Sequence, residues 1–229
     1  MTVHRFFVAP GTITSDRLPL PAEIDHQVRR VLRLADGAEL VLLEGDGSQV
    51  TCRLDGGRLT VVSRDPAPGE PHLRLTVAQA LLKGDHLETV VRAGIEVGVS
   101  RFELIVTDRT VVRDLSPTRL ARLRGVAREA AEQSERGIIP EVIGPLRLDE
   151  VASPTSVLLA ERSTAPRLST LTELDRLIIG PEGGFTLEEV SRAVEGGALL
   201  ATLGGRILRS ETASVAAAAV VLSGAGDLA

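Results

Sequence analysis

Two stretches of this chain join an apolar strand-like run to a helix start through a glycine-rich loop. In "LIIGPEGGF", residues 177–185, Leu177, Ile178 and Ile179 read as a strand buried on both faces, and Gly180 and Pro181 end it. Thr186 followed by Glu189 is a capping-box signature, so a helix starts there. The second stretch, "LGGRILRSETAS", residues 203–214, follows the same plan but interposes Arg206, Ile207, Leu208 and Arg209 before its helix. Loops of this kind let a backbone approach a ligand closely while free helix N–H groups point outward. Neither has the G-x-G-x-x-G spacing of a dinucleotide fingerprint or a P-loop signature, which argues against a phosphate cradle. Taken singly, each loop also reads as a plain strand-to-helix turn.

Both loops gain meaning if one sheet edge carries them. From residue 71 on, strand-like and helix-like segments alternate. "LRLTVAQALL", "FELIVT", "SVLLAE", "LIIG" and "ALLATLG" are strand runs. "DHLETVVRAGIEVG" is a helix with Asp85 as N-cap and Gly98 as terminator, and "SPTRLARLRGVAREAAEQSERG" is a long helix capped by Ser116 with Pro117 at its first position. "SETASVAAAAVVLSG" closes the chain as a helix. This pattern is an α/β domain with a largely parallel sheet. The two glycine-loop strands are expected to be neighbours, with a ligand cleft at their carboxyl ends. Before residue 70 the chain reads as short strands with "GDGS" and "DGG" hairpin turns, most economically a small β-barrel, and "DPAPGEPH", residues 65–72, reads as a linker. Two domains, 1–70 and 71–229, are therefore expected.

Composition excludes several classes. Hydrophobic residues at 43% and charged ones at 25% describe an ordinary soluble globule, and no signal-peptide core or membrane-length apolar run is present. Cys52 is the single cysteine, so no internal disulfide or paired-cysteine metal site exists, and a reducing cytoplasm fits. With no Trp or Tyr and four Phe, a nucleic-acid surface built on rows of stacked aromatics is ruled against. The net charge of −5 argues against a non-specific polyanion binder. Locally the balance differs: "HQVRRVLRL" gathers Arg29, Arg30 and Arg33, with Arg29 and Arg33 expected on one helix face. A solvated helix face and an RNA-binding patch both remain open for that segment. Lys83 is the one lysine among 26 basic residues, which sets it apart in an arginine-rich chain.

Taken together, "IGPEGGFTLEE", "LGGRILRSETA", "LLKGDHLETVVRAGIEVGVSRF", "REAAEQSER" and "HQVRRVLR" resemble the bacterial 16S ribosomal RNA (uracil-N3)-methyltransferase family of the SPOUT, or α/β-knot, superfamily. The resemblance spans nearly the whole chain. It implies an α/β fold with a PUA-like N-terminal barrel for RNA binding and a C-terminal methyltransferase domain holding a deep trefoil knot. It further implies a homodimer, S-adenosylmethionine as methyl donor, and 16S rRNA of the small ribosomal subunit as substrate, with no metal. This sequence departs from the family pattern in two places. Gly205 stands where the family commonly has Pro, and Arg92 and Ala93 replace a Gln-Lys pair.

By the resemblance, Leu159 and Ala160, then Ile179, Gly180, Pro181 and Gly183, then Leu203, Gly204, Ile207 and Leu208 would wrap the donor. A neutral glycine loop suits a donor with an adenine and a sulfonium but no phosphate. Uracil N3 carries a proton, and its loss spreads negative charge over two carbonyl oxygens. Arg206 and Arg209 are therefore the catalytic candidates, with Glu211 as a base or as an orienting group for them; a dipole-complementing glutamate in a first helical turn is the other reading of Glu211. Arg29, Arg30, Arg33 and Lys83 are the RNA-binding candidates. A ribose 2′-O-methyltransferase of the same superfamily is the nearest rival; those enzymes typically use motif asparagines, and this chain has no Asn.

Overall fold

The computed structural model describes residues 3–161 and 163–228. The chain forms two compact units. One runs through Glu70 and also takes in Ala131–Ile139; the other holds Pro71–Ala130 and the chain from Pro140 on.

The first unit is built on a five-stranded sheet. It contains β1 (His4–Phe7), β2 (Arg17–Pro19), α1 (Ala22–His26), β3 (Glu39–Leu43), β4 (Ser48–Asp55) and β5 (Arg58–Pro66), in the order β1-β3-β4-β5-β2. The alternation in β4 puts Val50, Cys52 and Leu54 inward onto Phe6, Leu40, Leu42 and Leu59. Gly56 and Gly57, at φ 54° and 81°, make the two-residue turn from β4 to β5, a geometry that needs positive φ at both positions. Cys52 is fully buried, and burial pushes its thiol up to about 11, so it packs as an inert hydrophobe. β1 and β2 are the sheet's edges and do not pair with each other among the described strands, so the sheet is open where a closed barrel was expected.

The segment Ala131–Ile139 joins this unit through specific bonds. Phe7 N donates to Glu132 Oε1 at 2.9 Å, Arg5 pairs with Glu135 at 2.7 Å, and the Glu70 carboxylate accepts from Arg136 and from Ile138 N. The basic segment differs from the expected helix. α1 passes into a π-helical turn, Gln27–Val31, and Arg33 sits in the left-handed region at φ 52°. Leu32 N bonds Gln27 O and Leu34 N bonds Val28 O, which ends the helix so that Leu32 and Leu34 both reach the core. Arg29 and Arg33 consequently do not share a helix face, because the wider turn and the chain reversal break the i, i+4 spacing.

The second unit is a six-stranded, fully parallel sheet covered by helices. Its elements are β6 (Thr76–Ala80), α2 (His86–Val97), β7 (Arg101–Val106), α3 (Pro117–Gln133, of which the residues through Ala130 belong here), β8 (Glu141–Arg147), α4 (Leu148–Val151), β9 (Ser156–Leu159), β10 (Arg176–Ile179), α5 (Leu187–Glu195), β11 (Leu199–Ala201) and α6 (Ser210–Gly224). The order is β11-β9-β10-β6-β7-β8. Its strands are the short apolar runs legible in the sequence, because both sheet faces are covered. β8 is an addition to them: among the described strands it pairs with β7 alone, is half-exposed, and carries Pro145, a residue an edge strand tolerates.

The glycine-loop strands β10 and β11 are not neighbours, contrary to expectation. β9 lies between them, and parallel pairing still brings all three carboxyl ends to one edge. The capping box at Thr186 and Glu189 is formed, and Arg119 N bonds Ser116 Oγ at the start of α3. Asp85 makes no side-chain cap on α2; its carboxylate faces Arg122 at 3.5 Å instead. Gly98 ends α2 in the left-handed region, φ 112°, as its terminator role requires.

Candidate active site

At the carboxyl ends of β9, β10 and β11 the second unit encloses a pocket of about 500 Å³. That size falls in the range of cofactor sites. Leu159 and Ala160 line it from β9, Ile179, Gly180, Pro181 and Gly183 from the loop after β10, and Leu203, Gly204 and Leu208 from the loop after β11. Ile207, expected with them, is half-exposed at 50% and does not line the pocket.

Small residues shape the walls. A Cβ on Gly180 would sit 3.0 Å from Phe185 Cε2, so the glycine lets that ring, itself on the pocket wall, pack down. Gly204, at φ 111°, faces open space, so the wall there is bare backbone. The loop Thr202–Arg206 also walls a second hollow of about 340 Å³ that reaches Arg167 and Val220.

Loops at strand ends have no sheet partners, and side chains hold these. The Gln79 side chain, fully buried on β6, donates from Nε2 to Ser210 Oγ at 3.0 Å, and Ser210 Oγ donates to Gly180 O at 2.6 Å. One chain of bonds thus ties β6, the loop after β10 and the first turn of α6. Arg109 Nη1 donates to Gly183 O at 2.9 Å, Lys83 N donates to Glu182 Oε1 at 3.3 Å, and Arg119 Nη2 donates to Leu82 O at 2.9 Å. Glu189 is 1% exposed and accepts from both Thr186 N and Asp108 N, so the loop after β7 is anchored to the start of α5.

The charged candidates fall into different places. Arg206 is exposed on the pocket wall. Arg209 is the exposed N-cap residue of α6 and lies off the wall. Glu211 is largely covered at 14% exposure, and its Oε1 lies 3.4 Å from His86 Nδ1, so it faces a histidine and not the arginines. In the first unit Arg29 is held by Asp25 at 2.7 Å, while Arg30 and Arg33 are exposed. Lys83 belongs to the second unit, exposed between β6 and α2, and is not part of that basic group. Arg109, Phe185, Ser210 and Gln79 are site residues that sequence reasoning missed. Ser210 and Phe185 lie within the quoted motifs, whereas nothing local marks Gln79 or Arg109. Among the described residues no cluster of three or more His, Cys, Asp or Glu could hold a metal, and no helix is long and apolar enough to cross a membrane.

Residues 69–222 match the family model of the RNA methyltransferase domain. The chain is 34% identical to ribosomal RNA small subunit methyltransferase E of Synechocystis, over 95% of this chain and 77% of that protein. The chain belongs to this methyltransferase family. A Bacillus subtilis member is 28% identical over 96% of each chain. Among solved structures, a family member from Neisseria gonorrhoeae bound to S-adenosyl methionine superposes with a TM-score of 0.85 at 28% identity, covering 95% of this chain and 96% of that one. A methyltransferase from Legionella pneumophila in complex with the same cofactor gives 0.84 at 29% identity, covering 98% of each.

The bond from Ser210 to Gly180 makes a direct prediction. Ser210→Ala leaves the Gly180 carbonyl and one Gln79 proton without their partner, so it should cost about 1–3 kcal/mol of stability. Denaturant unfolding measures that cost, and hydrogen exchange should show faster amide exchange at Gly183, Gly184 and Phe185. Wild-type exchange in that loop would mean the bond does not hold it.

Proposed function

We propose that the protein uses S-adenosylmethionine to methylate N3 of a uracil in 16S rRNA of the small ribosomal subunit. The observation that carries this reading is the glycine-walled pocket at three parallel strand ends in a chain of this family. The residues present fit the donor. Bare backbone at Gly204 suits a flat adenine, Leu159, Ile179, Leu203, Leu208 and the Phe185 ring packed on Gly180 supply apolar contact, and no phosphate-reading motif is needed. Bound there, S-adenosylmethionine would supply an electrophilic methyl group on a sulfonium.

The rest of the work falls to the chain. The target uracil has to leave any base pair before its N3 is reachable. As N3 loses its proton, charge spreads to the flanking carbonyl oxygens, and Arg206, on the pocket wall, and Arg209, at the start of α6 beyond it, are the candidates to stabilise it. Glu211, beside His86, is the candidate to take or relay that proton. Arg30 and Arg33, with Arg29 and Lys83, hold RNA phosphates. Residues 1–70 act as a PUA-like RNA-binding domain, and residues 71–229 as a SPOUT domain. A deep trefoil knot is supported by β10, which enters between the earlier strands β6 and β9.

The active form is a homodimer working in the cytoplasm. α6 supports this: Val215, Ala216, Val220 and Val221 are only half-covered on a helix that is apolar all round, the pattern of a helix with a further packing partner. Light scattering should give twice the 24.2 kDa chain mass, and a monomer mass would contradict it.

The reaction is tested by mass spectrometry of small-subunit rRNA nucleosides from cells lacking the protein. Loss of 3-methyluridine is expected; loss of a 2′-O-methylated nucleoside instead would overturn the assignment. Two variants separate the proposed labours. Arg209→Ala should lower turnover about a hundredfold with RNA affinity kept. Arg30→Ala should weaken RNA binding and flatten its salt dependence with donor binding kept. Full turnover in Arg209→Ala would remove that residue from the mechanism.

A further inference from the structure

Among the described residues, three charged side chains line the pocket: Arg109, Glu161 and Arg206. Arg109 comes from the loop after β7, across the sheet from β9 and β11, and it is the best anchored of the three. Asp108 N is bound by buried Glu189, Arg113 Nη2 donates to Asp108 O at 2.8 Å, and Thr107 N bonds Thr110 Oγ1 at 3.0 Å. The guanidinium is held in turn by one N–H to Gly183 O. A Cβ on Gly183 would come within 3.2 Å of Arg109 Cβ, so the loop backbone and the arginine stem are in close contact. The side chain is exposed to the pocket and forms no salt bridge among the described residues.

A guanidinium with no salt bridge among the described residues disfavours a cation beside it unless an anion comes too, and Glu161 is the carboxylate on the same wall that a cation would face. The donor named in the proposed function, on which this inference rests, carries a sulfonium and an ammonium, and both repel an unpaired arginine. It also carries one carboxylate. We infer that Arg109 binds the carboxylate of the donor's amino-acid tail. One N–H is spent on Gly183 O, and four of its five remain to meet a carboxylate in its planar fork. Pre-anchoring by Gly183 means little side-chain freedom is lost on binding. Arg206 suits this role less, because it follows Gly204 and Gly205 and no protein group fixes its guanidinium among the described residues.

A bond to Gly183 O alone would make Arg109 a loop buttress, and a truncated ligand separates the two roles. 5′-Methylthioadenosine has the adenosine and sulfur of S-adenosylhomocysteine but lacks the amino-acid tail. Titration calorimetry on the full chain should show the wild type binding S-adenosylhomocysteine more tightly than methylthioadenosine. Arg109→Ala should weaken S-adenosylhomocysteine about ten- to a hundredfold, the worth of a charge-assisted hydrogen bond, and leave methylthioadenosine unchanged. Arg109→Lys, which keeps the charge and loses the fork, should fall between. Equal losses for both ligands would show a buttress and overturn the inference, as would no loss for either, even with weakened RNA binding. A wild type that binds neither ligand would overturn the donor reading itself.

Discussion

The 2.6 Å bond from Ser210 Oγ to Gly180 O is the contact on which the pocket depends. Strands β9, β10 and β11 hold one another by ladder hydrogen bonds, but the ladder stops where the pocket starts. Beyond Ile179 and Leu203 the chain has to stay open enough to admit a ligand and fixed enough to bind one. A buried hydroxyl, itself bound by Gln79 on the next strand, meets both needs: it satisfies a backbone carbonyl at the pocket's edge without filling the pocket. The other loop anchors repeat the device. Glu189 takes two backbone N–H groups, Glu182 takes one, and Arg109 and Arg119 cap carbonyls.

This use of side chains governs the charge left over. Of the carboxylates near the pocket, Glu182 and Glu189 are engaged with backbone and Glu211 faces His86; against exposed Glu161 on the wall stand Arg109, Arg206 and, beside the pocket, Arg209, which form no salt bridge among the described residues. A chain of net charge −5 thereby keeps a positive rim where a ribosomal RNA substrate would enter. Steering of a polyanion depends on the local field at the cleft more than on the net charge, so the acidic total does not oppose the proposed function.

Legibility in the sequence followed the range of the interactions. The loops at Gly180 and Gly204, the caps at Thr186 and Ser116 and the buried strands were readable because glycine, capping residues and apolar runs act within a few residues. Gln79 and Arg109 were not, since their partners Ser210 and Gly183 lie 131 and 74 residues away in the chain, and one arginine among so many carries no local mark. β8 was missed because an exposed edge strand with a proline lacks the apolar run of its neighbours. The placement of β9 between β10 and β11 and the π-helical turn before Arg33 are tertiary outcomes: each is decided by what the segment packs on, not by its own pattern.

The two catalytic arginine candidates differ in how they are held, and that difference bears on their work in the proposed reaction. Arg209 is the N-cap residue of a helix of 15 residues, whose next residue, Ser210, is locked to Gly180, so its backbone is fixed before any substrate arrives. Arg206 follows two glycines. Gly204 needs its left-handed conformation, but Gly205 has no such φ and a Cβ there would meet nothing within 4 Å, so glycine at 205 adds freedom the structure does not require. A proline at that position, as the family commonly has, would remove it. Charge stabilisation is strongest when the donor is already in place and need not reorganise as charge develops. On that argument the proposed reaction favours Arg209 over Arg206 for its fixed backbone, and Arg206 over Arg209 for its place on the pocket wall, since neither guanidinium is held by a protein group among the described residues.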